Sequence, residues 1–372
     1  MPSDQPPRPL IDAHLDLAWN AVSMNRDLTA SLEQINQREE GLDDHPARSG
    51  AMVSLPAMRS GRVVLCLGTV LARADAGARD VLRTGMDSVT PAVACAVAQG
   101  HLAYYHAMQR QGHLRIIDSI AALDAHWTAC LRNQQVEPPG VIVSMEGADP
   151  ILDADHLQQW WQLGLRVVGL THFGQGTYAG GTGTDAGLAP AARPLLRALE
   201  RLGIALDITH LSDPAFDEAV DAFGGPLLAS HHNCRALVPD PRQLSDEQVR
   251  TLIGRDAVIG VAMDNWMLCP GYQRGRTPRG RVTLAHVADH VDQVCQLAGD
   301  CVHVGIGSDL DGGFGRFQCP ADLGSIADIQ RLGRVLADRG YIDEAVDAIF
   351  HGNWLRLLQR VLPTGDRGGV SR

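Results

Sequence analysis

The stretch AARPLLRALERLGIALDITHLSDPAFDEAVDAFGGPLLASHH, residues 191–232, decides the fold. Leu195, Leu196, Leu199 and Leu202 recur at helical spacing and stop at Gly203, which predicts a helix over 191–202. The run 204–209 then reads as a short buried strand and ends against His210. A second helix follows over 213–223, and a second strand over 226–230 ends against His231. Two tandem strand–helix units, each strand closing on a histidine, are the pattern of a parallel sheet connected by helices.

The same alternation extends in both directions. Strands are expected at 10–15, 63–71, 140–145, 166–170, 257–263 and 301–307, and helices at 92–111, 246–253 and 284–298. With the two strands above the total is eight, which predicts an α/β fold of the (β/α)8 TIM-barrel type. A doubly wound open sheet is the alternative. No linker or repeat interrupts the chain, so residues 1–372 are expected to form a single domain, with barrel strands over 10–307 and closing helices over 326–339 and 343–362. Two inserts stand out. Residues 20–61 are too long for a simple connection and are expected to hold a helix of their own, and 174–187, with six glycines, reads as a mobile loop on one face.

Composition excludes several classes of function. Hydrophobic residues make up 45% and charged residues 20% of the chain, as in ordinary globular proteins. A net charge of −11 without a basic block opposes binding to nucleic acid or to an anionic membrane. The first ten residues are polar and proline-rich, the longest apolar run, 63–71, is too short to span a bilayer, and the chain ends on polar residues. A cytoplasmic protein without signal, anchor or membrane partner is therefore expected, and a homodimer remains open. The eight cysteines include no Cys-x-x-Cys pair, so reduced, mostly buried thiols are expected in place of disulfides or a zinc knuckle.

The functional argument rests on the polar residues at the strand ends. His14 and Asp16 follow the first strand, Glu146 the third, His172 the fourth, His210 the fifth, His231 the sixth and Asp309 the eighth. In a barrel these ends share one rim, where side chains of different strands converge. Each residue alone has a plainer use: Asp12 and Asp16 can cap a turn, Glu146 can pair with an arginine, and a single histidine is commonly a hydrogen-bonded core residue. Their joint placement predicts a metal site. Imidazoles and carboxylates without thiolates suit Zn2+, with Mn2+, Fe2+ or Co2+ as alternatives, and a carboxylate such as Glu146 can bridge two ions. Two ions ~3.5–4 Å apart can hold a hydroxide between them. His101, His106, His113, His126, His156, His286, His290 and His351 fall in or beside helices and are expected to be packing or surface residues.

The segments IDAHLDLAW (11–19), VSMEGADPI (143–151), LTHFGQGTYAG (170–180), LDITHLSDPAFDEAV (206–220), LASHHNCRALVPDPRQLSDEQV (228–249), VGIGSDLDGG (304–313) and HGNWLRLLQRVL (351–362) occur in an order that resembles the membrane dipeptidase (renal dipeptidase) family. The resemblance covers nearly the whole chain. It implies a zinc-dependent hydrolase of small dipeptides, with His14 and Asp16 on a first zinc, Glu146 bridging, and His210 and His231 on a second. It further implies that His172 contacts the substrate or its tetrahedral intermediate, that Arg242 clamps the substrate carboxylate, and that Asp309 handles the proton. A D-residue at the C-terminal position of the dipeptide is part of the same expectation.

The sequence departs from the family pattern in two places. Leu15 stands where Asn is usual, on the opposite side of the strand from His14 and Asp16. After the seventh strand the chain reads VAMDNWML, with Asp264 where the family tends to place an aromatic residue near the substrate. An uncompensated Asp264 would bind substrate and favour basic dipeptides; the alternative is an ion pair with Arg274, Arg276 or Arg279. Three rival functions remain in view: another amidohydrolase-type metal hydrolase such as a lactonase or phosphotriesterase-like enzyme, a catalytically inactive metal-binding barrel, and purely structural histidines. The first usually shows a second histidine at the place of Asp16 and a bridging lysine, which this chain lacks.

Overall fold

A computed structural model describes residues 7–74, 86–132 and 138–364. The polar start, 1–6, and the last residues, 365–372, lie outside this set. Eight parallel strands form the barrel: β1 (Leu10–Leu15), β2 (Val63–Leu71), β3 (Gly140–Glu146), β4 (Leu165–Gly169), β5 (Ala205–Asp207), β6 (Leu227–Leu228), β7 (Ile259–Val261) and β8 (Val304–Ile306). The ladder runs β7-β8-β1-β2-β3-β4-β5-β6, and a parallel bridge between Ala229 and Ile259 brings β6 to β7. The sheet thus closes on itself, and the open-sheet alternative falls. A short strand, Arg115–Ile116, adds to β3 from outside the ring.

The helices follow from local chemistry. α1 (Ala192–Leu202) buries Leu195, Leu196 and Leu199, and ends on Gly203, whose φ of 68° is cheap only for glycine. In α2 (Asp213–Ala222) the Ser212 side chain accepts from the Ala215 amide, and in α3 (Asp246–Gly254) Ser245 and Gln248 form a reciprocal capping box. The C-terminal α4 (Asn353–Val361) is pinned to β8: the Trp354 indole donates to the Ile306 carbonyl, and Asn353 donates to Cys301 and Val304. Gly305 has no room for a Cβ beside that indole. At the N-terminal end of the barrel, Leu65, Leu67, Ile142, Val167, Ala205, Leu228 and Val258 join one apolar cluster with Leu123, Trp354 and Leu357. This end is a plug, and the opposite rim is left for polar groups.

The insert 20–61 does contain helices, Leu32–Arg38 and Leu55–Ser60. It is tied to the barrel by Asp311, whose carboxylate accepts from the Met52 and Val53 amides. The loop 174–187 departs from expectation: it is stitched down rather than loose. Bridges pair Phe173 with Thr182, Gln175 with Gly180, Ala179 with Leu188 and Gly181 with Leu211. A Cβ at Gly181 would overlap the His172 carbonyl oxygen, and one at Gly180 the Ala186 carbonyl oxygen. These glycines serve close backbone approach, a use that composition alone does not separate from mobility. The eight cysteines are free thiols, five of them buried. Among the described residues no helix is long and apolar enough to cross a membrane.

Candidate metal centre

The strand-end residues converge on Glu146, the last residue of β3. Its Oε2 lies 3.5 Å from His14 Nε2, while Oε1 lies 3.1 Å from His210 Nε2, 3.4 Å from His231 Nε2 and 3.6 Å from His172 Nε2. His14 Nε2 is also 3.8 Å from both Asp16 Oδ1 and Asp309 Oδ1. The ligand atoms fall into overlapping triads, His14–Asp16–Glu146, Glu146–His210–His231 and His14–His231–Asp309, each within 4.8 Å. Every side chain placed at the rim from the sequence, other than Arg242 and Asp264, belongs to this cluster, with His172 on its edge at ring-centroid distance 4.3 Å from His210.

The backbone is bent to achieve this. His210 has φ of 70° and Asp309 φ of 57°, left-handed conformations that are uncommon outside glycine and concentrate at functional sites. Gly312 has no Cβ to collide with the Asp309 carboxylate. Hydroxyl groups aim the imidazoles: Ser230 Oγ is 2.9 Å from His231 Nδ1 and 3.4 Å from His14 Nδ1, and Thr182 Oγ1 is 3.0 Å from His210 Nδ1. Thr69 donates to Asp16 Oδ1. With Nδ1 engaged outward, each Nε2 faces the centre, the orientation in which outer partners hold metal-ligating histidines.

The electrostatics fit a cation. Burial alone would lower the pKa of His14, yet the carboxylates of Glu146, Asp16 and Asp309 raise it to about 10. That proton stands where the carboxylates demand positive charge. Burial would raise Glu146, but His14 and His172 hold it well below the usual carboxylate range. His210 and His231 are pushed well below 6.5, first by burial and then by neighbouring positive charge, which keeps them as neutral donors. His14 Nε2 is buried and makes no hydrogen bond among the described residues. An orphaned imidazole nitrogen, neutral imidazoles and converging carboxylates fit divalent metal. Asp309, by contrast, is raised well above 3.8 by burial and by Asp16 and Glu146, so it suits a proton carrier.

Arg242 lies beside this centre, 2% exposed. Burial lowers its pKa to about 10, and its side chain contacts the His231 carbonyl, His210 Nε2 and the ring of His232. Asp264 takes the second of its two readings: its carboxylate is 2.5 Å from Arg274 and caps the short helix Asn265–Leu268, so it is compensated. Burial still raises its pKa to about 6. Sequence reasoning missed Thr69, Thr182, Ser230 and His232; hydroxyls carry no metal-ligand signature, and His232 was hidden beside His231.

The family model described as "Membrane dipeptidase (Peptidase family M19)" matches residues 5–367. An uncharacterized Klebsiella pneumoniae protein of the pqqA 5′ region is 32% identical over 214 residues, 55% of this chain and 75% of that protein. Dipeptidase tcpJ of Claviceps purpurea is 29% identical over 55% of this chain and 47% of its own length; dipeptidase aclJ of Aspergillus oryzae is 28% identical over 59% and 52%. The matches thus span about half the length of these two fungal relatives. Among solved structures, the metallo peptidase dipeptidase AC superposes with a TM-score of 0.75 at 23% identity, covering 96% of this chain and 99% of its own. A Rhodobacter sphaeroides metallo peptidase liganded with a phosphinate mimic of the dipeptide L-Ala-D-Ala superposes with a TM-score of 0.73 at 24% identity, covering 96% and 100%. At these identities the likeness establishes the fold.

Proposed function

The chain belongs to the membrane dipeptidase family, and from that membership together with the polar centre on the barrel rim we propose that it is a zinc-dependent dipeptidase with a binuclear site. The observation that carries this reading is the division of Glu146: one carboxylate oxygen faces His14 and the other faces His210 and His231. That is the disposition of a bridging carboxylate between two ligand sets. His14 and Asp16 would hold one ion, and His210 and His231 the other. Two bound divalent ions supply Lewis acidity toward the scissile carbonyl and a nucleophile derived from water at neutral pH.

The remaining side chains divide the work. Asp309 can take a proton and pass it to the leaving amine, a role that suits a carboxyl group with a raised pKa. His172, on the edge of the cluster, can donate to the developing oxyanion. Arg242, a buried guanidinium, offers paired donors to the free carboxylate of a dipeptide. Clamping that end disfavours longer peptides. The mimic bound by the Rhodobacter relative motivates including a D-residue at the C-terminal position.

The test is amine release from L-Ala-L-Ala and L-Ala-D-Ala by the chelated and zinc-reloaded protein. Activity should vanish on chelation and return with zinc. Full activity in protein shown by elemental analysis to be metal-free would overturn the reading.

A further inference from the structure

Arg242 poses a physical problem: a buried guanidinium is costly unless paired. Its side-chain contacts are with the His231 carbonyl at 3.0 Å, with His210 Nε2 at 3.5 Å, and with His232. None of these is a carboxylate. The contact with His232 has a particular shape. Arg242 Nη1 is 3.2 Å from Nδ1 and 3.3 Å from Nε2 of the same ring. An atom in the ring plane at equal distance from both nitrogens would collide with the carbon between them. The guanidinium nitrogen therefore lies over the face of the imidazole. His232 is itself 4% exposed, and its amide is fixed to the Gly260 carbonyl at 2.7 Å.

From this geometry we infer that His232 is a positioning residue for the carboxylate clamp, holding the Arg242 guanidinium by its π-face with the outer edge free for the substrate carboxylate. The inference rests on the reading of Arg242 as that clamp. A face contact suits the task better than an ion pair. A carboxylate at this place would occupy donors that the substrate needs, whereas a ring face attracts the cation without using its in-plane N–H groups, of which only those on Nη2 are turned to His231 and His210. The neighbouring ligand His231 sets the position of the backbone, so one His-His pair serves both the metal centre and the clamp.

Three variants and two substrates test this. His232→Leu fills the space without a π-face, His232→Phe keeps the face, and Arg242→Ala removes the clamp. Each is assayed on L-Ala-L-Ala and its C-terminal amide, with zinc content and melting temperature measured in parallel. His232→Leu should raise KM for the free dipeptide on the order of 10-fold with kcat and zinc content held, should affect the amide little, and should be rescued largely by His232→Phe. A merely structural role would lower the melting temperature or zinc content and penalise both substrates alike, and that result overturns the inference. If Arg242→Ala itself fails to separate the free dipeptide from the amide, the clamp reading fails. If it separates them and His232→Leu does not, the inference alone fails.

Discussion

The two halves of the barrel are built differently. In β1–β3 the backbone ladder is long: β2 and β3 pair residue by residue from Leu65–Gly140 to Leu71–Glu146. From β5 to β8 the strands are only two or three residues long, and side chains continue the stitching. Asp207 Oδ1 accepts from the Thr209 amide and hydroxyl and from the Ser230 amide across the next strand. Asn233 exchanges hydrogen bonds with both the amide and the carbonyl of Ala262, and Asp12 receives the Ser308 amide and hydroxyl. The long half delivers Glu146 from the end of a regular ladder, whereas Asp16 follows a register shift in β1 and has φ of −80° and ψ of 49°. The short half delivers His210 and Asp309 from left-handed backbone. A regular ladder fixes the direction of the side chain at its end; the side-chain stitches leave the rim of the short half free to adopt the left-handed backbone from which His210 and Asp309 turn inward.

The largest effect that probes this division is catalytic. On the proposed reading of Asp309, on the short half, as the proton carrier, Asp309→Asn should keep most of the metal and lose at least ~10²-fold in turnover. Near-normal turnover in a metal-loaded variant would leave the short half with ligation only. Next comes the stitch itself. Asp207→Ala strands three donors and should lower stability by about 3 kcal/mol, read from denaturant midpoints, together with zinc retention at the His210–His231 position. An unchanged midpoint would show that the short strands hold without it.

Each half is backed by a buried histidine whose pKa burial depresses, and pH compares the two. His101 accepts from the Leu71 amide at the end of β2, and His290 accepts from the Cys234 amide beyond β6. Burial lowers each pKa from 6.5 to about 4. The unfolded chain therefore binds more protons between these values. Their stabilising contribution is present above about pH 6.5 and is lost as pH falls toward about 4, by roughly 3 kcal/mol for each at most. Urea midpoints measured from pH 7 to 4 should show this slope, and His101→Gln or His290→Gln should each remove a share of it, up to roughly 3 kcal/mol. A slope untouched by both substitutions would assign acid sensitivity elsewhere. The smallest effect belongs to the long half: Thr69→Val deletes one hydrogen bond to Asp16 and should cost about 1 kcal/mol with a modest loss of zinc affinity.

The same division governs what the sequence makes legible. On the long half the apolar runs 10–15 and 63–71 coincide with the strands, because burial and ladder end together. On the short half the apolar runs overshoot: 257–263 reads as strand, but only Ile259–Val261 is assigned to it, since the residues beyond stay buried while Asn233 takes the hydrogen bonds of Ala262. The clustered rim residues are legible because titratable groups at strand ends are conspicuous. Arg242 came from the family resemblance alone, and the Asp264–Arg274 pair depends on how a loop folds back, which spacing along the chain does not encode. With its carboxylate paired to Arg274, Asp264 gives no uncompensated charge that would favour basic dipeptides.

On the proposed reading both halves of the barrel contribute to one binuclear centre, joined by Glu146. Zinc stoichiometry measured by elemental analysis on active, desalted protein tests it most directly. The account predicts two ions per chain in the parent, with His231→Ala keeping about one; a single ion or none in fully active parent protein would contradict it.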